Sequence, residues 1–178
     1  NNAGDTTMTY QLVWLPRDAD NSNPIRSELF TLGPGRSTHY DNVLDGVFHL
    51  AGLFGALSVA TDSAEAIVAS RTFNQAASGT FGQSIPGLHS SRLIQAGQRM
   101  RVVLMCENDS YRSNLGLLNG TGAPITIQVV LRDAEGRELG ARTVDLAPWS
   151  NTQLNRVFQP FAPVDVGYAD VWTETVGG

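Results

Sequence analysis

Hydrophobic and polar residues alternate along most of this chain, which is the pattern of strands with one buried face. Met8, Tyr10, Leu12 and Trp14 form the first such run, with Thr9 and Gln11 between them. Pro16 to Pro24, PRDADNSNP, predicts an exposed turn. Ser27 to Leu32 reads as the next strand, closed by Gly33 Pro34 Gly35. Val43, Leu44, Val47 and Phe48 then recur at helical spacing, predicting a short helix capped by Asp41 or Asn42 and ended by Gly52. Gly55 to Thr61 and Ala66 to Phe73 resume the strand pattern. Asn74 to Ser91, rich in Gly, Ser, Ala and Gln, reads as a long connection.

Strand patterns continue over Arg99 to Met105, Arg112 to Leu118 and Ile125 to Leu131. Asp133 to Gly136 predicts a tight hairpin turn into Glu138 to Leu146. Ala147 to Ser150 turns the chain again, Thr152 to Phe158 reads as a helical turn, and Gly167 to Thr173 is the last strand.

The two ends of the chain echo each other. Met8 to Val13, MTYQLV, matches Ile125 to Val130, ITIQVV, 117 positions on. Leu32, Pro34, Thr38 and Val43 match Leu146, Pro148, Thr152 and Val157 at 114, and Gly55 and Val59 match Gly167 and Val171 at 112. A slowly falling offset indicates the same elements in the same order with shorter loops, an internal repeat. The first copy is expected to lack its leading strands and the second its last one. The expected division is a first β-sandwich repeat over 1–75, an inter-repeat connection over 76–98 and a second repeat over 99–178. A module of about 115 residues has the size of a single β-sandwich domain.

Three motifs sharpen the picture: Arg71 Thr72 Phe73 with Gly79 to Pro86, GTFGQSIP; Tyr111 to Asn119, YRSNLGLLN; and Gln153 to Phe158, QLNRVF. On these residues the chain resembles the uncharacterised tandem β-sandwich repeats, immunoglobulin-like in size, of long secreted or surface proteins of bacteria. The resemblance covers most of the chain and carries no catalytic or ligand residues. It implies an all-β fold of two repeated immunoglobulin-like sandwich modules with short helical turns, an extracellular or cell-surface address, and a structural or binding role.

Composition narrows the partners. A net charge of -5 and a pI near 5.0 argue against duplex nucleic acid and against an anionic membrane surface. All 12 basic residues are arginines, so lysine nucleophiles and lysine-asparagine cross-links are ruled out. Cys106 is the single cysteine, lies in the apolar run VVLM, and reads as a buried small hydrophobe. No targeting or lipidation motif is visible. Val43 to Ala60, the most apolar long window, is broken by Asp45, His49 and glycines and predicts no membrane insertion. Asn1 to Asp5 reads as the inside of a loop, as in a chain that is mature or excised from something longer.

Candidate chemistry is sparse. Asp18, Asp20 and Asn21 present oxygens at the spacing of a calcium loop, but Asn23 and Leu29 stand where an EF-hand needs Gly and Glu, so a solvated turn is the stronger reading. His39, His49 and His89 share no metal spacing. Asp41 and Asp45 read as a helix cap and an exposed acid. Ser84 is flanked by Pro86 where a nucleophile elbow needs glycine. Asn108 and Asn119 open glycosylation sequons. Trp149 and Tyr168 are the best candidates for carbohydrate contact.

No catalytic residue or cofactor is expected. The leading expectation is a non-enzymatic extracellular structural module of a repeat array, assembling head to tail by strand exchange with copies of itself or with neighbouring domains. Met8, Tyr10, Leu12 and Val171 are the expected assembly edges. The other reading is an adhesin-like module binding carbohydrate or protein.

Overall fold

The computed structural model describes residues 1–175. The protein is all-β: among the described residues the strands are antiparallel throughout, with one short α-helix and two single 3-10 turns. Two compact units divide the chain. Unit 1 comprises Asn1–Trp14, Ile25–Leu53 and Leu57–Leu93, and unit 2 comprises Leu15–Pro24, Phe54–Ala56 and Ile94–Gly178.

Unit 1 is built around β1 (Met8–Pro16). β2 (Ile25–Arg26) and β3 (Phe30–Leu32) pair with it antiparallel, Trp14 opposite Ile25 and Tyr10 opposite Phe30. The Ser27 to Leu32 run is therefore not one strand. The Ser27 hydroxyl accepts the Leu12 N–H at 2.9 Å, a place a backbone carbonyl would hold, and the two short strands part there. α1 (Val43–Phe48) follows, with Asn42 accepting from the Asp45 N–H as its N-cap and His49 in the left-handed region as its C-cap. β4 (Gly55–Thr61) also pairs with β1. Met8, Tyr10 and Leu12 point into a core completed by Phe30, Leu32, Tyr40, Val43, Val47 and Phe48. They line the interior of the unit, because β1 takes β2 and β3 along one edge and β4 on the other.

Ala66 to Phe73, expected as a strand, supplies most of the first strand of a hairpin, and Asn74 to Ser91, expected as a long connection, holds its end and the second strand. β5 (Ala69–Ala76) and β6 (Gly79–Pro86) pair over eight positions, from Ala69 opposite Pro86 to Ala76 opposite Gly79. Its glycines read as loop residues, yet they serve close strand approach: a β-carbon on Gly82 would clash with the Thr72 carbonyl oxygen, and one on Gly87 would lie 2.8 Å from that of Val68.

Unit 2 contains β7 (Arg99–Glu107), β8 (Leu115–Leu118), β9 (Ile125–Asp133), β10 (Glu138–Leu146), β11 (Asn151–Leu154) and β12 (Val164–Thr173). One sheet runs β10-β9-β12-β7 and a second pairs β11 with β8. The core joins Met105, Leu115, Leu117, Ile127, Val129 and Leu131 with Val157, Phe158, Ala169 and Val171. Val171 thus sits inside the larger sheet, opposite Val129 on one side and Met100 on the other. The β9-β10 turn forms as its residues predict: the Asp133 carboxylate accepts the Glu135 and Arg137 N–H groups and Gly136 takes φ 84°. Thr152 to Phe158 is no helical turn. Its first residues zip onto β8, and Arg156, at φ 48°, reverses the chain so that Val157 and Phe158 enter the core.

Candidate assembly and binding surfaces

Three sets of hydrogen bonds recur in both units. Asn2 is fully buried: its Nδ2 donates to the carbonyls of Thr6 and Leu32, its Oδ1 accepts the Gly4 N–H, and its own N–H donates to Arg36. Asn119, equally buried, donates to the carbonyls of Ala123 and Ala147, accepts from the Thr121 N–H and hydroxyl, and its N–H donates to Ser150. Its sequon asparagine is thereby committed to the fold.

The turns beside these asparagines also correspond. Arg36 N–H bonds to Gly33 and Ser150 N–H to Ala147, with Gly35 at φ 63° and Trp149 at φ 54° in the matching left-handed position. Lastly, the Thr61 hydroxyl donates to the Thr9 carbonyl at 2.8 Å and accepts from Ser63, while that of Thr173 donates to Thr126 at 2.7 Å and accepts from Thr175. Thr61 and Thr173 pin β4 and β12 to β1 and β9.

With these landmarks, β4 answers to β12, but their surroundings differ. β12 is paired on both edges, whereas β4 pairs with β1 alone among the described strands. β8 likewise pairs with β11 on one edge only, and the β5-β6 hairpin forms a sheet of two. Such a hairpin is marginal in water by itself. Its described side chains are exposed throughout, Phe73 and Ile85 among them.

The outer face of the β12-β7 pair carries a ladder of charge and aromatic rings. Arg101 donates Nε and Nη2 to the Asp170 carboxylate at 2.8 and 3.2 Å, and Arg132 adds Nε at 3.2 Å. The Arg101 guanidinium lies 4.2 Å from the centre of the Tyr168 ring and that of Arg99 lies 4.0 Å from the Trp172 ring. Hydrogen bonds from Arg101, with help from Arg132, hold the Asp170 carboxyl below the usual carboxylate range against the opposing effect of burial.

A folded-state pKa below the unfolded one gives stability that is present above pH ~4 and is lost as pH falls through the folded value. Urea midpoints measured from neutral pH down to about pH 3 should therefore fall less steeply for Asp170→Asn than for the parent chain. Parallel pH profiles for the two proteins would refute this role.

Trp149 is the exposed candidate, at 40% of its surface. Its carbonyl accepts from the Nδ2 of Asn21, which also donates to Pro16 and Ala19, so Asn21 is buried and clasps the loop. Asp20 is engaged by the N–H and hydroxyl of Ser22, which lower its pKa. Asp18 and Asp20 line, with Asp145, a cleft of about 240 Å³ in unit 2. Among the described residues no three His, Cys, Asp or Glu side chains are grouped so as to hold a metal ion. Unit 1 has a larger cleft, about 390 Å³, floored by Phe30, Tyr40 and Val47 and rimmed by Glu28 and His49. Burial and the 2.7 Å bond to Tyr10 push the Tyr40 phenol well above its ordinary pKa.

No protein-family model, curated protein or solved structure matches the chain. Pattern reading missed Asn2, the structural role of Asn119 and the Arg101-Asp170-Arg132 cluster. A signal for the cluster was present: Tyr168, Asp170 and Trp172 alternate with core residues along β12, and Arg99 and Arg101 share that parity on β7.

Proposed function

We propose that this chain is a non-enzymatic structural module of a repeat array on the outside of a bacterial cell. Its two units are then copies of one immunoglobulin-like sandwich, related to the tandem repeats of secreted and surface proteins. The observation that carries this reading is the matched bonding of Asn2 and Asn119, together with the Gly35/Trp149 and Thr61/Thr173 correspondences. A buried carboxamide that serves the N–H two residues on, the carbonyl four residues on and a carbonyl at the start of the following turn, in both units, supports a duplicated unit. The one-sided pairing of β4 and β8 and the bare hairpin supply unpaired backbone, and unpaired edges add strands.

Sedimentation velocity over a concentration series tests the assembly. The mass should rise with concentration; a single monomeric species over the whole series overturns it.

A second reading, an adhesin-like module binding carbohydrate or protein, draws on Trp149. A bulky residue at positive φ costs about 1–2 kcal/mol, the corresponding residue of unit 1 is Gly35, and yet Trp149 stays half exposed. If its ring meets a sugar, Trp149→Ala should lose at least tenfold in affinity on a glycan array. Equal signals from both proteins would dispose of this reading.

A further inference from the structure

Unit 1 carries a group of aromatic rings whose counterpart in unit 2 is wholly aliphatic. Tyr10 on β1 stands opposite Phe30 on β3 with ring centres 5.3 Å apart, Phe30 lies 5.9 Å from Tyr40, and the Tyr10 and Tyr40 hydroxyls meet at 2.7 Å. The ladder of unit 2 shows what the same positions need for a core. Leu32 opposite Met8 answers to Leu146 opposite Ile125, so Tyr10 and Phe30 answer to Ile127 and Val144, and at the offset of 114 Tyr40 falls on Leu154. Those three aliphatic side chains suffice there, packed in or against the core of unit 2. In unit 1, Phe30 and Tyr40 stay half-buried and line the cleft of about 390 Å³.

The rest of the cleft differs in the same direction. At that offset Glu28 falls on Arg142, so the charge at this place is reversed. No lysine or arginine lines the cleft, and among the described residues none forms an ion pair with Glu28. Burial and the bond to Tyr10 raise the Tyr40 phenol, and the Glu28 carboxylate stands close enough to add to that rise. Gly46, within α1, forms part of the wall. Glycine weakens a helix, and a β-carbon on Gly46 would meet nothing within 4 Å, so packing does not call for it. A larger side chain there would fill the cleft.

Aromatic faces attract cations, and a carboxylate without a partner beside them supplies the counter-charge. An ammonium that carries methyl groups gains from apolar walls as well, which a hydrated ion does not. We propose that this cleft binds a quaternary ammonium group, a trimethylammonium head resting against Phe30 and Tyr40 with Glu28 as its counter-ion. The net charge of -5 on the whole chain favours the approach of a cation. The site goes beyond the array reading and does not depend on it.

Choline chloride is the probe. Titrated by calorimetry into the whole chain at constant ionic strength, it should bind saturably, and the alcohol in which a tert-butyl group replaces the trimethylammonium should bind about tenfold more weakly. Glu28→Gln, a change at an exposed side chain, should weaken choline several-fold. Gly46→Leu, which sets a side chain into the cleft, should abolish binding while the circular dichroism spectrum stays that of the parent. If that variant loses the parent spectrum, the Glu28→Gln comparison decides alone. Phosphatidylcholine vesicles, used in place of choline, separate two sources of the same head group: a chain that sediments with them marks a lipid, and a chain left in solution while choline binds marks a free solute. Absence of saturable binding overturns the proposal. Equal affinity for the uncharged alcohol, or choline affinity unchanged in Glu28→Gln, overturns it too.

Discussion

Replacing Arg156 by alanine is expected to destabilise unit 2 by about 3–5 kcal/mol, the range for a buried ion pair stripped of one partner. Glu107 is 1% exposed, and Arg156 supplies Nε at 2.8 Å and Nη2 at 2.6 Å to its Oε1. The other carboxylate oxygen is buried without a hydrogen bond, so no second partner is in place to take over. The arginine is held by its own backbone, whose N–H donates to the Asn114 side chain at 2.9 Å, while neighbouring Ser113 accepts from Cys106 and Val157. The motifs YRSNLGLLN and QLNRVF thus meet over Glu107. Urea denaturation monitored by tryptophan fluorescence would measure the loss. Arg156→Lys should fall between, since an ammonium lacks the two-pronged geometry, and the double change to leucine should recover much of the stability. An Arg156→Ala midpoint equal to that of the parent would contradict the pair's importance.

Asn119→Ala should cost unit 2 about 2–4 kcal/mol, because two carbonyls, an N–H and a hydroxyl lose their buried partner together. Asn2→Ala should act comparably on unit 1, where two carbonyls and an N–H are served by one side chain. Asn119→Asp discriminates bonding from shape. A carboxylate cannot donate to the Ala123 and Ala147 carbonyls, so the aspartate should be worse than alanine at neutral pH and improve as acid protonates it. Thermal melts of the three variants would show it; an aspartate chain as stable as the parent would mean that the carboxamide's donor role is minor.

The strands that alternation identified are those with one wet and one dry face. β1, β9 and β12 were legible because Met8, Tyr10 and Leu12, or Ile127, Val129 and Leu131, meet the core at every second residue. Of the β5-β6 hairpin, β5 was partly legible in Ala66 to Phe73 but β6 was not, because the hairpin's described side chains face solvent and no dry face imposes a period. Thr152 to Phe158 misled for the opposite reason: Leu154, Val157 and Phe158 reach one core through a chain reversal at Arg156, which imitates helical spacing. The bonding roles of Asn2 and Asn119 were not legible, and Asn119 read as a sequon, because a buried amide at a loop looks like a turn residue until its partners are known.

The strands that carry the expected edge residues are paired on both sides within the chain. Met8, Tyr10, Leu12 and Val171 are the most regular residues of their strands, and regularity marks the middle of a sheet. β4, β7, β8 and β10 are among the described strands that pair along one edge only.

The Asp170 ladder has one more consequence. On β12, a strand that slipped by two residues would strand a carboxylate opposite the wrong side chain, because Arg101 is the residue that faces Asp170. Slippage there is self-penalising. The matching positions on β4 are Ser58 and Ala60, both small, uncharged and exposed. A strand laid against β4 would meet no electrostatic proofreading at these positions, so neighbouring registers there would differ less in energy than on β12.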